Sequence, residues 1–171
     1  MTAMPRLTRR HLLLAAGAGA LLPRAAIAAS YREVTWYDLI PPGVPMGQII
    51  GEGVMDEARD FWNPVFDENG SKLNPELDGA RIKMPGFVIP FDTTSEGVTS
   101  FVLVPFVGAC IHVPPPPPNQ LVFVTTEKPW PSTSLWDPVW VSGTMSATPK
   151  STQLADIGYQ MTAEVIELYV Y

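Results

Sequence analysis

The chain is poor in the residues that most chemistry needs. It has one cysteine, Cys110, and two histidines, His11 and His112. A single thiol cannot close an internal disulfide, and no Cys-x-x-Cys redox or zinc motif can be built from it. There is no Gly-x-Ser-x-Gly elbow, no Gly-rich phosphate loop and no dinucleotide fingerprint. With His11 in the N-terminal leader, a Ser-His-Asp triad would have to rest on His112 alone. No internal repeat is present, and the longest apolar run falls well short of the roughly 20 residues of a membrane-spanning helix.

That run, the eleven residues Leu12 to Leu22, follows Arg6, Arg9 and Arg10 and precedes Ala26-Ile27-Ala28. A basic start, a short apolar core and a small-x-small ending describe a secretory signal peptide over residues 1–28. The pair Arg9-Arg10, the Ala/Gly-rich core and Arg24 near its end point to twin-arginine export, with an ordinary secretory signal as the alternative. The expectation is a soluble periplasmic protein with no membrane span once the signal is removed.

Positive charge is also scarce. Four of the eleven basic residues lie in the signal, which leaves seven against seventeen acidic ones, a net charge of −10 for residues 29–171. This argues against nucleic acid and anionic membrane surfaces as partners.

Residues 29–171 are of a length for one domain. Arg81-Ile-Lys-Met, interrupted by Pro85-Gly86 and resumed at Phe87, reads as a first strand with a bulge at the interruption. Val98 to Val107 is apolar on both alternations and reads as a strand buried on both faces. Leu121 to Thr126, Pro138 to Met145 and Tyr159 to Val165 complete five strands. Helical spacing is expected from Gly47 to Trp62, although Gly51 and Gly53 weaken it, and a short helix from Ser151 to Ile157. The fold expected is mainly β, a small five-stranded OB-like barrel with one or two short helices. The departure from that fold is the Pro- and Trp-rich segment Glu127 to Asp137, which stands where its helix usually lies. Trp140 is expected in the core, with Trp130 and Trp136 at a barrel mouth. The same tryptophans, with Pro129, Pro131 and Pro138, could instead form a partner-binding patch.

The most distinctive stretch is Gly108-Ala-Cys-Ile-His-Val-Pro-Pro-Pro-Pro-Pro-Asn-Gln120. If the strand from Val98 continued through Val113, Cys110 and His112 would share a face with Cα atoms about 6.5 Å apart. A sulfur and an imidazole nitrogen so placed can converge on one zinc or copper ion at ~2.0–2.3 Å. Two ligands do not close a structural zinc site, so Asp92 and Asp38, waters or a second chain would supply the rest. Pro114, Pro115, Pro116, Pro117 and Pro118 form a stiff polyproline wall. The wall delivers Asn119 and Gln120 to the next strand, and with Trp140 these residues make a candidate interaction surface. The alternatives are a structural, buried Cys110 and a Cys110/His112 nucleophile–base pair.

This block is similar to the signature of a family of exported bacterial proteins known as a domain of unknown function of the 3299 type. Trp36 to Pro41, Leu77 to Pro90, Val102 to Phe106 and Pro138 to Thr144 carry the same resemblance, which spans nearly all of residues 31–169. It implies a periplasmic accessory role near transporters, some of them linked to metal uptake. The functional expectation is a non-enzymatic accessory protein handling zinc or copper beside an envelope transporter or lipoprotein through Cys110 and His112. A protein-interaction module of an envelope complex and a thiol-dependent enzyme are the alternatives.

Overall fold

A computed structural model describes residues 30–58, 61–109, 115–131 and 134–169, with the side chain of residue 61 left out. The signal-like residues 1–28 and the segment Cys110 to Pro114 lie outside the described residues.

Five strands close on themselves. They are β4 (Arg81–Thr94), β5 (Gly97–Val104), β6 (Val122–Trp130), β7 (Pro138–Ser146) and β10 (Tyr159–Leu168). Their order is β4-β5-β6-β10-β7, and β7 pairs back onto β4. Within this ring β6–β10 is the parallel pair and the other ladders are antiparallel. This is a closed, OB-like five-stranded barrel, as the sequence implies. A two-residue strand β1 (Arg32–Glu33) adds parallel to β4.

Closure depends on β4 serving two neighbours. Residues Arg81 to Phe87 pair with β7, and Phe87 to Thr94 pair with β5. The expected bulge at Pro85–Gly86 is not there, because the ladder to Trp140 and Val139 is unbroken. The register shifts come later, on either side of Asp92. Gly86 has a different reason to be glycine: a Cβ there would stand 2.7 Å from Leu103 Cγ and 3.0 Å from Trp36 Cζ2. The missing side chain lets the Trp36 indole lie against the strand.

Alternation sorts side chains to two cores. Ile82, Met84, Val88, Phe101, Leu103, Val122, Val124, Val139, Val141, Tyr159 and Met161 fill the barrel interior. Val102, Val104 and Phe123 point outward and are covered by Ala109, Leu121 and Ile157 in a second cluster. Strand β5 is therefore buried on both faces, as its continuous apolar run demands. Trp140, expected in the core, is on the outer face of β7, because its neighbours Val139 and Val141 take the inward positions. There it is half-buried, 5.5 Å from the Tyr169 ring and 5.1 Å from Lys83 Nζ. Trp130 does pack against the barrel core and Trp136 against the second cluster.

Neither expected helix forms. Gln48 to Asp67 instead makes an antiparallel arm, held by Asp67 N–H to Gln48 O (2.9 Å), Ile50 N–H to Val65 O (2.7 Å) and an Ile49–Phe66 bridge. Strands β2 (Val54–Asp56) and β3 (Phe61–Asn63) form its outer part. Gly51 and Gly53, at φ 69° and 73°, take left-handed backbone that a helix interior does not contain. From Ser151 to Ile157 the chain forms a small hairpin of β8 (Lys150–Ser151) and β9 (Asp156–Ile157). The Thr152 hydroxyl donates to Ala155 O at 2.9 Å and accepts from Leu154 N–H and Ala155 N–H. Such local bonds compete directly with helix. Among the described residues the helical segments are short 3-10 turns, at Trp36–Leu39, Glu68–Ser71, Pro75–Leu77 and Pro118–Gln120. None is long and apolar enough to cross a membrane.

A proline-walled candidate binding site

The first side of the site is the turn Trp36–Leu39. Asp38 Oδ2 accepts from the Thr35 N–H (2.6 Å) and hydroxyl (2.8 Å), which closes the turn. These two donors hold the Asp38 carboxyl below its ordinary pKa. Leu39 is buried in the barrel core, and its carbonyl accepts from the Tyr159 hydroxyl at 2.6 Å. The same hydroxyl accepts from Asn74 N–H at 2.5 Å, and burial raises the Tyr159 pKa to about 12. Leu39 inside the barrel and Tyr159 behind it fix where Trp36 and Tyr37 project.

The second side is the proline run. Pro115, Pro116 and Pro117 are buried, and the chain then tightens into the 3-10 turn Pro118–Gln120. Asn119 and Gln120 pin this turn to its surroundings. Asn119 Nδ2 donates to Asn69 O (2.8 Å) and Lys72 O (3.0 Å), and Gln120 Nε2 donates to Trp36 O (3.0 Å) and Asn119 O (3.0 Å). The sequence places both amides beside the wall, but not their role, which is to tie three loops together. The third side is the base of the arm, Met46 to Ile49 with Phe66. It approaches the wall closely because Gly70 has no side chain: a Cβ there would lie 2.9 Å from Phe66 Cβ and 3.1 Å from Pro117 Cβ.

Between the three sides is a cavity of about 760 Å³. Trp36, Tyr37, Met46, Ile49, Phe66 and Phe106 give it an aromatic and aliphatic lining, with Pro105 and Pro115 to Pro117 as the stiff face. Among the described residues no charged one lines it; polar side chains come from Gln48, Gln120, the Tyr37 phenol and the Trp36 indole. A mostly apolar concavity of this size with a few polar groups is what small-molecule and peptide sites look like.

This arrangement decides how the sequence expectations stand. Strand β5 ends at Val104, and the chain turns through Pro105 to Gly108, whose φ is 93°. An extended run from Val98 through Val113 therefore does not exist, and the shared face inferred for Cys110 and His112 from that run loses its basis. Both residues, with Pro114, lie outside the described residues. Asp38 faces a separate recess with Arg32, Asn74 and Glu76 rather than the cavity. Asp92 Oδ2 accepts from the Ser100 hydroxyl at 2.6 Å. Among the described residues no three of His, Cys, Asp and Glu come together as a metal site. Sequence spacing does not reveal the cavity lining: Ile49 lies within the expected Gly47–Trp62 helix, and Met46 and Phe66 lie outside it, far apart in the chain.

A family model described as a protein of unknown function, DUF3299, matches residues 36–168. The chain belongs to the DUF3299 family. Among solved structures it is similar to the crystal structure of a DUF3299 family protein from Pseudomonas aeruginosa PAO1. The two are 35% identical, with a TM-score of 0.68 over 83% of this chain and 98% of that one. No curated protein matches. The DUF3299 match spans the Trp36–Leu39 turn, the arm and the described prolines alike, so the cavity lies wholly within the family region.

Proposed function

We propose that this DUF3299 protein is an exported, non-enzymatic binding protein of the bacterial envelope, and that it takes an apolar ligand in the proline-walled cavity. The observation that carries the reading is the lining: about 760 Å³ of largely apolar space with a rigid proline face and no charge among the described residues. The prolines have little conformational freedom to lose when a ligand arrives, which favours binding. Export is supported by the signal-like sequence of residues 1–28.

Titration with N-phenyl-1-naphthylamine, an uncharged apolar fluorophore, tests the reading. Saturable binding at one site is expected. Phe106→Ser and Tyr37→Ser should each weaken it about tenfold, or about 1.4 kcal/mol. Val165→Ser, an exposed apolar position on β10, should leave it unchanged. Equal binding by all three variants would remove the proposal.

A second reading keeps zinc or copper at Cys110 and His112, serving an envelope transporter or lipoprotein. It is favoured by the Cys-x-His spacing and by the position of His112 in the chain, three residues before the cavity wall at Pro115. Two protein ligands alone do not close a tetrahedral site, so such an ion would be weakly held or completed by carboxylates, water or a second chain. Metal analysis decides: stoichiometric zinc or copper must disappear in both Cys110→Ser and His112→Ala.

A further inference from the structure

Thirteen large apolar residues are exposed among the described residues, and they are not spread evenly. Seven lie between Tyr37 and Val65, and Phe106 and Val107 are two more. Four of the nine, Tyr37, Met46, Ile49 and Phe106, line the cavity. Further out, Ile50, Val54, Met55 and Val65 are also exposed along the arm, successive residues on its opposite faces. A two-stranded ribbon is marginal in water by itself, and this one exposes apolar side chains that nothing described covers. Among the described residues strands β2 and β3 pair only with each other, so each keeps one edge without a described strand partner.

The charge of the same segment selects the kind of partner. From Val34 to Ser71 the sequence has seven acidic residues and one basic residue, Arg59. Lys72, the next basic residue, is paired with Glu68 at 2.8 Å. Two copies of such a surface would bring like charges together, and an anionic lipid surface would be repelled in the same way. A basic partner is attracted, and an extended one can use the open edges of the arm.

We propose that the arm and the cavity mouth together dock an extended segment of another protein, apolar on one face and basic on the other. This rests on the cavity being the ligand site.

The probe is a fluorescein-labelled peptide of alternating Leu and Lys, titrated by anisotropy into the intact protein beside the uncharged fluorophore. The Leu/Lys peptide should bind, and it should bind at least tenfold tighter than a Ser/Lys peptide of equal charge. A Leu/Glu peptide should fail to bind. Ile50→Ser and Met55→Ser, exposed on the arm and outside the cavity lining, should weaken the Leu/Lys peptide about tenfold while keeping the fluorophore. Val165→Ser should change neither. Fluorophore binding without Leu/Lys binding would overturn this proposal and spare the cavity. Failure of the fluorophore itself would remove the cavity reading, and this proposal with it. Equal binding of the Ser/Lys peptide, or unchanged binding in both arm variants, would reduce the effect to charge alone and overturn the docking surface. So would dimerisation of the free protein that Ile50→Ser abolishes, since the arm would then be covered by a second copy.

Discussion

In the barrel, Ile82, Met84, Phe101, Leu103 and Met145 are fully removed from water. In the arm, Ile49, Ile50, Val54 and Met55 are each about half exposed or more. Both regions are apolar and β-structured, and both are paired antiparallel for most of their length. They differ in closure. The barrel gives every strand two neighbours and an inside, so alternation has somewhere to send its apolar residues. The arm has one ladder and no inside, so its apolar residues stay where a partner can reach them. Apolar content alone therefore does not distinguish core from site in this fold; the number of strand neighbours does.

Breaking the barrel should have the largest effect. Phe101→Ala removes a fully buried ring from the interior and is expected to cost about 3–5 kcal/mol, read as a lower denaturant midpoint. A loss below 1 kcal/mol would mean that β5 is not the inner wall described. Next is Gly143, which pairs with Ile82 of β4 and Ala163 of β10. A Cβ there would run into the Thr162 carbonyl oxygen, a backbone atom that cannot swing aside. Gly143→Ala should cost about 1–3 kcal/mol, with the barrel displaced locally. If it is neutral by the same measurement, the β7–β10 approach is looser than described.

Tyr159 ties the barrel to the segments that flank the arm, since its hydroxyl holds Leu39 O and Asn74 N–H while its ring fills the barrel. Tyr159→Phe leaves both groups without that partner and should cost about 1–3 kcal/mol. The pH dependence has a definite sign. An unfolded tyrosine ionises near pH 10, whereas Tyr159 in the fold ionises at about 12. Its contribution is therefore complete below pH 10 and declines as pH rises towards 12. The stability gap between wild type and Tyr159→Phe should narrow across that window. A gap that widens would show the folded pKa to be lowered instead.

How much of this could be read in the sequence follows the same division. Four of the five barrel strands were legible within a few residues of their ends, because period-two alternation in Tyr159, Met161 and Ala163, or continuous burial in Phe101 to Val104, follows directly from a closed sheet. Strand β4 was legible too, except that Gly86 looked like a bulge when its reason is the close approach of Leu103 and the Trp36 ring. Trp140 misled because size suggested core, whereas parity with Val139 and Val141 put it outside. The arm was misread because Ile50, Val54, Ala58 and Phe61 fall at helical intervals, and only the left-handed Gly51 and Gly53 betray the turn. Pro115 to Pro117 were legible as a wall, but the cavity they face was not. It is built by Trp36, Phe66 and Phe106, which are distant in sequence and meet only after the barrel closes.

The smallest expected effect on stability sharpens the contrast most. Ile50 is half exposed, and its backbone N–H is already bonded to Val65 O. Ile50→Ser removes an apolar side chain and keeps that backbone bond. Surface changes of this sort usually stay within about 0.5 kcal/mol, so the denaturant midpoint should hardly move. Ile82→Ser, the same chemical change at a barrel position with no exposure, should be severely destabilising. If the two substitutions proved equally costly, the arm would be part of the folding core, and its exposed apolar residues would need no partner to explain them. If Ile50→Ser is silent in stability while the Leu/Lys peptide is lost, the arm serves binding and the barrel serves to hold it in place.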